Sequence, residues 1–302
     1  MKTTTDNPST SISAIAITLA GVFLFATKAI IVKLGYREDM NAATMLLLRM
    51  SFALPFYLTI MFWGNNRQLF KDLAFNDHLK VIVLGMVGYY LSSYLDFQGL
   101  HYISANLERL ILFAYPTLVV IISAIFLKKS ISKTQYVAIA ITYLGIVITF
   151  YENLFIKFTS TTLLGSALVF GSALTYAFYL VGSSELLKRV GAVFYTAYSM
   201  VVSAICVLIH STFAEIKPLS EISDKVYMYG FLMAVFSTIV PSFLIAYSLK
   251  KIGASKMSII GSIGPVFTIV LSYFLLQETL SVYQYVGGTV ILFGVYWVSR
   301  KK

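Results

Sequence analysis

Long apolar stretches separated by short polar breaks set the plan of this chain. Each stretch has about the length that a helix needs to cross ~30 Å of hydrocarbon at a rise of ~1.5 Å per residue. The breaks contain turn residues, such as Gly64, Asn65 and Asn66. The pattern predicts ten membrane-spanning helices at residues 12–34, 42–63, 79–97, 105–127, 133–150, 163–187, 194–213, 226–248, 254–276 and 282–299.

The same pattern occurs twice along the chain, at an offset of 149 residues. The segment around Pro116 reads ISANLERLILFAYPTLVVIISAIFLKKSISKTQYVAIAITYLGIVIT, and the segment around Pro265 aligns with it without gaps. The aligned segments share the proline, a Gln-Tyr-Val run, and a glycine at Gly145 and Gly294. Because these matches are not scattered leucines but special residues at one fixed offset, we interpret the chain as a tandem duplication.

Composition identifies the class of protein and its orientation. The chain is 58% hydrophobic and 12% charged, with a mean hydropathy of +0.82, whereas soluble domains contain about 25% charged residues. The net charge of +10 does not indicate a nucleic-acid partner, because Lys and Arg in membrane proteins report orientation. With the N-terminus inside, the inner segments hold 15 of these residues and the outer segments hold 5. Both termini are therefore predicted to face the cytoplasm, with the lipid bilayer around the helices.

The duplication predicts the domain organisation. A cytoplasmic tail (1–11) precedes the first repeat (12–150), and an external linker (151–162) leads to the second repeat (163–299) and a basic C-terminus (300–302). Each repeat has five helices, and because five is odd, the second copy enters the membrane in the opposite orientation. The predicted fold class is an all-α polytopic membrane protein with ten transmembrane helices in two inverted five-helix repeats. This arrangement is a common framework for alternating access.

Particular residues carry a family resemblance. The run FLLQE after the helix with Pro265, then a Gln-Tyr pair and a helix with Gly294, resembles the EamA repeat of the drug/metabolite transporter superfamily. The stretches FATKAIIVKLGY and KKIGASKMS also resemble that family, and the resemblance covers nearly the whole chain. It implies a carrier of small metabolites in the bacterial inner membrane, often an exporter, with a cavity lined by helices one, three, four, six, eight and nine. Lys129 stands where the family pattern favours Glu, and the opposite orientation of the repeats accounts for that difference.

Charged residues within the spans are the first candidates for a substrate site, because a charge at a helix centre costs roughly 2.5–3.5 kcal/mol on insertion scales. Five of them lie in the outer half of spans one to four: Lys28, Arg49, Asp96, Glu108 and Arg109. Three are basic and two are acidic. This excess favours a substrate that carries a carboxylate or another anion, such as an amino acid.

Lys28 combines depth in the membrane with a small and polar helix face. Helical spacing places it on one stripe with Thr18, Gly21 and Phe25, and such a face packs on protein rather than on lipid. We expect it to face a cavity, and the alternative is that its stem extends outward to water. Deleting this charge is expected to cost little folding stability. Lys33, at the outer edge of the span, is expected to reach water and to serve as the control.

The other charges leave more alternatives open. Asp96 lies near a span end, where it is either a hydrated carboxylate or a cavity residue. Arg49 is expected either to pair with Asp96 or Glu108 or to contact substrate. Because adjacent residues on a helix point about 100° apart, Glu108 and Arg109 are each expected to reach another helix rather than each other.

Aromatic and helix-breaking residues complete the candidate set. Tyr89, Tyr90, Tyr176 and Tyr179 are candidates for contact with an apolar part of a substrate, although any one of 21 tyrosines is more often a core or interface residue. A proline within a span leaves a backbone carbonyl unpaired. A stripe of small residues beside it lines a cavity or lets two helices approach closely. The candidate structural or gating residues are Pro116, Pro265, Gly261 and Gly264.

The sequence favours transport over the alternatives. No His, Cys or carboxylate spacing indicates a metal site, and no pattern indicates a cofactor or a nucleophile beside a base. A membrane-embedded enzyme would need such groups, and a channel or receptor more usually lacks an inverted repeat within one chain. We therefore predict a secondary transporter, not an enzyme, for a small polar or amphipathic metabolite. Protons or a counter-substrate are the candidate coupling partners, and the protein is expected to be a monomer or homodimer.

Cysteine labelling tests the predicted orientation. In a Cys206→Ala background, a cysteine introduced at position 157 is expected to react with a membrane-impermeant reagent added outside the cell. Labelling of position 157 from the cytoplasmic side alone would contradict the inverted ten-helix arrangement.

Overall fold

A computed structural model describes residues 8–103, 105–128, 131–149, 151, 159–276 and 281–300. These residues form helices and short connections, and they contain no β-strand. The first half comprises α1 (Pro8–Tyr36), α2 (Ala42–Phe62), α3 (Asn66–Asp72), α4 (Phe75–Gly85), α5 (Ser92–Tyr102), α6 (Ala105–Leu112), α7 (Tyr115–Phe126) and α8 (Lys133–Thr149). The second half comprises α9 (Ser160–Val190), α10 (Ala192–Ser211), α11 (Asp224–Ala234), α12 (Val240–Ile252), α13 (Ala254–Gly261), α14 (Gly264–Leu276) and α15 (Val282–Arg300).

Seven helical segments in the described ranges are long and apolar enough to cross a membrane. They are Ser13–Tyr36, Ala42–Phe62, Leu107–Phe126, Ser160–Ser184, Ala192–Ser211, Asp224–Ile252 and Ala254–Leu275. The other three predicted spans coincide with α8, with α4 and α5 together, and with α15, so the total of ten stays a prediction. Most of the predicted external linker, Lys157, Lys129 and the chain before residue 8 lie outside the described residues.

Four spans that the sequence predicts as plain helices contain local breaks. A π-helical turn, Met86–Leu91, joins α4 to α5, and a second one, Val235–Ile239, joins α11 to α12. A tight turn separates α6 from α7, and another separates α13 from α14. Pro116 and Pro265 are the second residues of α7 and α14, where the missing proline N–H is tolerated, so each predicted span is two helices rather than one.

The helix boundaries repeat at the offset found in the sequence. The helices α6 and α13 begin at residues 105 and 254, the helices α7 and α14 begin at 115 and 264, and the two π-helical turns begin at 86 and 235. The start of α8 has a capping box in which Ser132 and Gln135 each accept the other's backbone N–H. Ser281 and Gln284 form the same box at the start of α15. The glutamine that the two repeats share therefore caps the start of a helix in both copies.

The packing of the helices is also two-fold. In the first half α1 packs on α12 and α14, and in the second half α9 packs on α5 and α7. The remaining principal pairs, α2 with α10 and α8 with α15, each join equivalent helices of the two halves. Equivalent helices with equivalent partners are what a pseudo-two-fold arrangement of two repeats requires.

Glycines bring α8 and α15 close together. An added Cβ at Gly145 would lie 2.8 Å from the carbonyl oxygen of Gly287 and 2.8 Å from the Ile291 side chain. At Gly294, an added Cβ would lie 2.6 Å from the hydroxyl of Thr142. The glycine that the two repeats share is thus a site of close helix approach in both copies.

Substitution of Gly145 tests this packing. Gly145→Ala is expected to destabilise the folded protein by about 1–3 kcal/mol, because the new methyl group overlaps the backbone of α15. Gly288→Ala is the matched control, since its Cβ would meet only Val266, at 3.8 Å. Thermal unfolding in detergent measures both. Equal unfolding temperatures for the two variants would contradict the close approach.

Candidate functional site

A central cavity lies between the two halves and borders each break in the helices. Its wall includes Gly88 and Tyr89 from the first π-helical turn and Ser237 and Thr238 from the second. These positions are equivalent in the two repeats. The breaks before α7 and α14 contribute Leu112, Phe113, Tyr115, Gly261 and Gly264. The cavity leaves about 120 Å³ for the centres of water-sized molecules, which is several times the space that a single water needs.

Lys28 and Asp96 form an ion pair in the cavity wall. The Lys28 ammonium donates to Asp96 Oδ2, and the Asp96 side chain is 1% exposed. Lys28 therefore faces the cavity, but its charge is paired with a carboxylate on α5. The ion pair reverses the expectation that this charge could be deleted at little cost to folding: we now predict a large cost, because deletion would leave a buried carboxylate uncompensated.

Glu108 and Arg109 contact each other, contrary to the expectation that each reaches another helix. Arg109 Nε lies 3.3 Å from Glu108 Oε2, and both side chains are buried. Their Cβ atoms diverge on the helix, but the two long side chains bend back to meet. Arg109 lines the cavity, whereas Glu108 lies behind it, next to the Asp96 carboxyl group.

Arg49 is a buried cation that has no carboxylate partner among the described residues. It lines the cavity and is 4% exposed. Its Nη2 donates to the Ser93 hydroxyl at 2.9 Å, and its guanidinium lies 5.1 Å from the centre of the Phe97 ring. The predicted ion pair with Asp96 or Glu108 is replaced by these contacts, because Asp96 is occupied by Lys28.

Six side-chain atoms of the charged cluster lack a hydrogen-bond partner within the described part of the chain. Three are donors, on Arg49 (Nε) and Arg109 (Nε and Nη2), and three are acceptors, Asp96 Oδ1 and both Glu108 carboxylate oxygens. Burying such atoms without a partner is costly. Among the residues that line the cavity, the donors on Arg49 and Arg109 match a carboxylate of a ligand, and Asp96 Oδ1 matches an ammonium group.

Beyond the charged cluster, the cavity wall combines aromatic and apolar side chains with serine and threonine hydroxyl groups. Phe25, Phe113, Tyr115 and Tyr176 line it, together with Tyr89. The Tyr115 and Tyr176 rings meet edge to face, with centroids 5.8 Å apart. Such a wall fits an apolar or aromatic body adjacent to the polar end.

The charge belongs to the first repeat alone. The positions equivalent to Lys28, Asp96, Glu108 and Arg109 in the second repeat are, in that order, Ala177, Ile245, Met257 and Ser258. Ile245 and Met257 also line the cavity. The symmetric fold therefore encloses an asymmetric site, with a charged end and an apolar end.

Two of the candidate tyrosines lie away from the cavity wall. Tyr90 packs edge to face on His210, with ring centroids 5.8 Å apart, and Tyr179 is buried behind Tyr89, whose hydroxyl accepts its hydrogen bond at 3.1 Å. The cavity residue of this turn is Tyr89 instead. Helical spacing already places Tyr89 on one stripe with Asp96, which also lines the cavity.

The helix-breaking candidates lie beside the cavity. Gly261 and Gly264 line it directly, and both prolines are buried next to it. An added Cβ at Gly261 would overlap the Tyr115 hydroxyl. Small residues here leave room for that ring.

Lys33 is not free to reach water. Its ammonium donates to the carbonyl oxygens of Leu100 and Ile103, at 2.8 and 3.0 Å, and its side chain is half-buried. Tyr36 donates to the carbonyl oxygen of Phe97 at 2.7 Å. Together with Lys28 these contacts tie α1 to the end of α5, so Arg37, which is exposed, is the better control.

The described residues contain seven apolar helices long enough to cross a membrane, and the helices pack in two equivalent halves around a central cavity. This architecture defines a multi-pass membrane protein that can hold a small molecule. The model of the EamA-like transporter family matches residues 12–151 and 163–300. The chain belongs to that family, as the sequence resemblance predicted. Within the described residues, no group of three His, Cys, Asp or Glu side chains could hold a metal ion.

Curated relatives of this chain are also described as transporters. The uncharacterized transporter YcbK of Bacillus subtilis is 27% identical over 292 residues, covering 94% of this chain and 92% of its own length. An uncharacterized transporter of Archaeoglobus fulgidus is 30% identical over 237 residues, covering 77% of this chain and 81% of its own. A solved crystal structure superposes with a TM-score of 0.78 at 14% identity, covering 95% of this chain and 98% of its own. That last likeness concerns the fold alone.

A double-mutant cycle tests the Lys28–Asp96 pair. Lys28→Met and Asp96→Leu are each expected to destabilise the protein by about 3–5 kcal/mol, because each leaves a buried charge without its partner. The double variant is expected to recover most of that loss. Thermal unfolding of the four proteins in detergent gives the coupling. Additive effects of the two substitutions would contradict the pairing.

Proposed function

We propose that this protein is a secondary transporter, working as an exporter, of an amphipathic metabolite such as an amino acid. The observation that carries the proposal is the set of unpartnered groups on Arg49, Arg109 and Asp96 in a cavity whose wall also presents aromatic rings. A carboxylate bound to the two guanidinium groups and an ammonium bound to Asp96 would satisfy all three. The aromatic wall would then take the side chain of the substrate.

Alternating access is the proposed mechanism. The family model matches once in each half, the helix boundaries recur at the same offset, and each helix of one half has an equivalent with equivalent partners. If the chain crosses the membrane ten times, the five helices of the second repeat are inverted relative to the first. The helix contacts that close the cavity on one side then have counterparts that can close it on the other.

The proposed orientation places both termini in the cytoplasm of a bacterial cell. The Lys and Arg asymmetry between the two sets of loops supports it. The charged end of the cavity then lies in the outer half of the membrane. Lys28, through its pair with Asp96, would hold that carboxylate in the orientation that receives an ammonium group.

An enzyme, a channel or a receptor is the competing proposal. Of the charged groups around the cavity, Lys28 and Asp96 pair with each other and Arg109 contacts Glu108. In the described cavity wall none is a nucleophile held beside a base, which hydrolytic or transfer chemistry would need. Net movement of a solute into sealed vesicles discriminates transport from catalysis. Saturation of the flux at high solute concentration discriminates a carrier from a channel.

Arg49→Met is the sharpest test of the substrate site. Because Arg49 has no carboxylate partner among the described residues, its removal leaves no described buried acid uncompensated. The substrate is first identified by an untargeted comparison of medium metabolites between overexpressing and null cells. Arg49→Met is then expected to weaken transport at least tenfold, as the loss of a charge-assisted contact of ~1.5–3 kcal/mol implies.

A control variant and two further substitutions show whether the loss of transport is specific to Arg49. Arg37→Met, which removes an exposed charge from the end of the same membrane face, is expected to transport like the wild type. Lys28→Arg is expected to keep part of the activity, and Lys28→Met to lose it. Wild-type transport by Arg49→Met, at equal protein levels in the membrane, would refute the proposed site.

A further inference from the structure

A second pocket, which we name the inner pocket, lies at the other end of the molecule from the charged cluster. It is lined by Val120, Ser123, Ile131, Gln135 and residues 252–256. It shares no lining residue with the central cavity. The basic loops beside it belong to the side of the membrane that the Lys and Arg count assigns to the cytoplasm.

The start of α13 supplies backbone donors to the inner pocket. Gly253, at φ 77°, turns the chain sharply out of α12, and α13 begins at Ala254 with no side chain capping it. The backbone N–H groups of its first turn, at Ala254, Ser255 and Lys256, have no partner within the helix. The positive end of the helix dipole adds to them.

Ser123 is an independent sign of a missing ligand. Its residue is 3% exposed, it lines the inner pocket, and its hydroxyl has no hydrogen-bond partner among the described residues. A helical serine or threonine can satisfy its hydroxyl on the carbonyl four residues back, as Thr142 does with Ala138. Ser123 does not, although an unsatisfied buried hydroxyl is costly.

The remaining polar groups of the pocket also donate. Lys256 contributes its ammonium, and Gln135 uses its amide oxygen to cap the N–H of Ser132, which leaves its amide NH₂ for the pocket. None of the described lining residues is acidic. Other basic residues lie close to these lining residues in the sequence: Lys128, Lys133, Lys250 and Lys251.

We propose that the inner pocket binds a phosphate group, held by the N-terminus of α13, Lys256, Ser123 and Gln135. Donors from different helices, with no acidic residue among the described lining residues, suit an anion with several oxygens rather than a neutral solute. The group could belong to free phosphate or to the headgroup of an anionic lipid, because the pocket lies at the membrane face. This site does not depend on the transport mechanism of the central cavity.

The experiment measures both sources on the purified protein. Inorganic phosphate binding is followed by calorimetric titration in detergent, with chloride at equal ionic strength as the reference. Lipid binding is followed by native mass spectrometry with phosphatidylglycerol, with diacylglycerol as the lipid without phosphate. The variants are Lys256→Gln, Lys256→Arg and Ser123→Ala, and Lys251→Gln is the control, since Lys251 is exposed and does not line the pocket.

Lys256→Gln and Ser123→Ala are expected to weaken binding of one of the two probes about tenfold, whereas Lys251→Gln leaves it unchanged and Lys256→Arg restores most of it. If phosphate shows this pattern, the ligand is the free ion, and if phosphatidylglycerol alone shows it, the ligand is a lipid headgroup. Absence of binding to both probes, or equal weakening by Lys251→Gln, would overturn the site. Unfolding temperatures confirm that each variant is folded before it is compared.

Discussion

Backbone hydrogen bonding in hydrocarbon is the constraint on which this structure depends. With no water available, each N–H and C=O of a membrane span must find its partner within the chain, and a continuous helix is the simplest way to do so. Among the described spans, irregular backbone occurs at the two π-helical turns, 86–91 and 235–239, and at the breaks before α7 and α14. All four border the central cavity. The chain departs from regular helix where polar surface and open space replace lipid.

The second constraint is the neutralisation of buried charge. Lys28 with Asp96, and Arg109 with Glu108, bring opposite charges together within the first repeat, and this leaves Arg49 as the cation without a carboxylate among the described residues. A ligand anion is the physical complement that such a group lacks. The substrate proposal therefore depends less on the number of charges in the spans than on which of them the protein has already paired.

Much of this arrangement could be predicted from the sequence, because apolar length and the 149-residue repeat are properties of the chain itself. The hydropathy pattern predicted where the helices lie. The repeat predicted that Gly145 and Gly294 are equivalent positions, and both lie where α8 and α15 approach closely. The charge partners could not be predicted, since Lys28 and Asp96 lie 68 residues apart and meet only through the packing of α1 beside α5. Tyr89 could be distinguished from Tyr90 by the helical period, because Tyr89 lies on the same helical stripe as Asp96 and both residues line the cavity.

The duplication also has an energetic consequence for the proposed alternating access. Contacts from Lys28 and Lys33 tie α1 to α5 and to the connection that follows it, at one end of the cavity. Under the repeat, the equivalent closure would tie α9 to α12, but the equivalent positions are Ala177 and Gly182, which carry no polar side chain. If the protein works by the proposed alternating access, these lysine contacts would stabilise one closure and would have no counterpart in the other. Under the proposed function, a substrate ammonium at Asp96 Oδ1 would leave the Lys28 contact at Oδ2 in place, so the substrate and this closure would involve the same carboxylate.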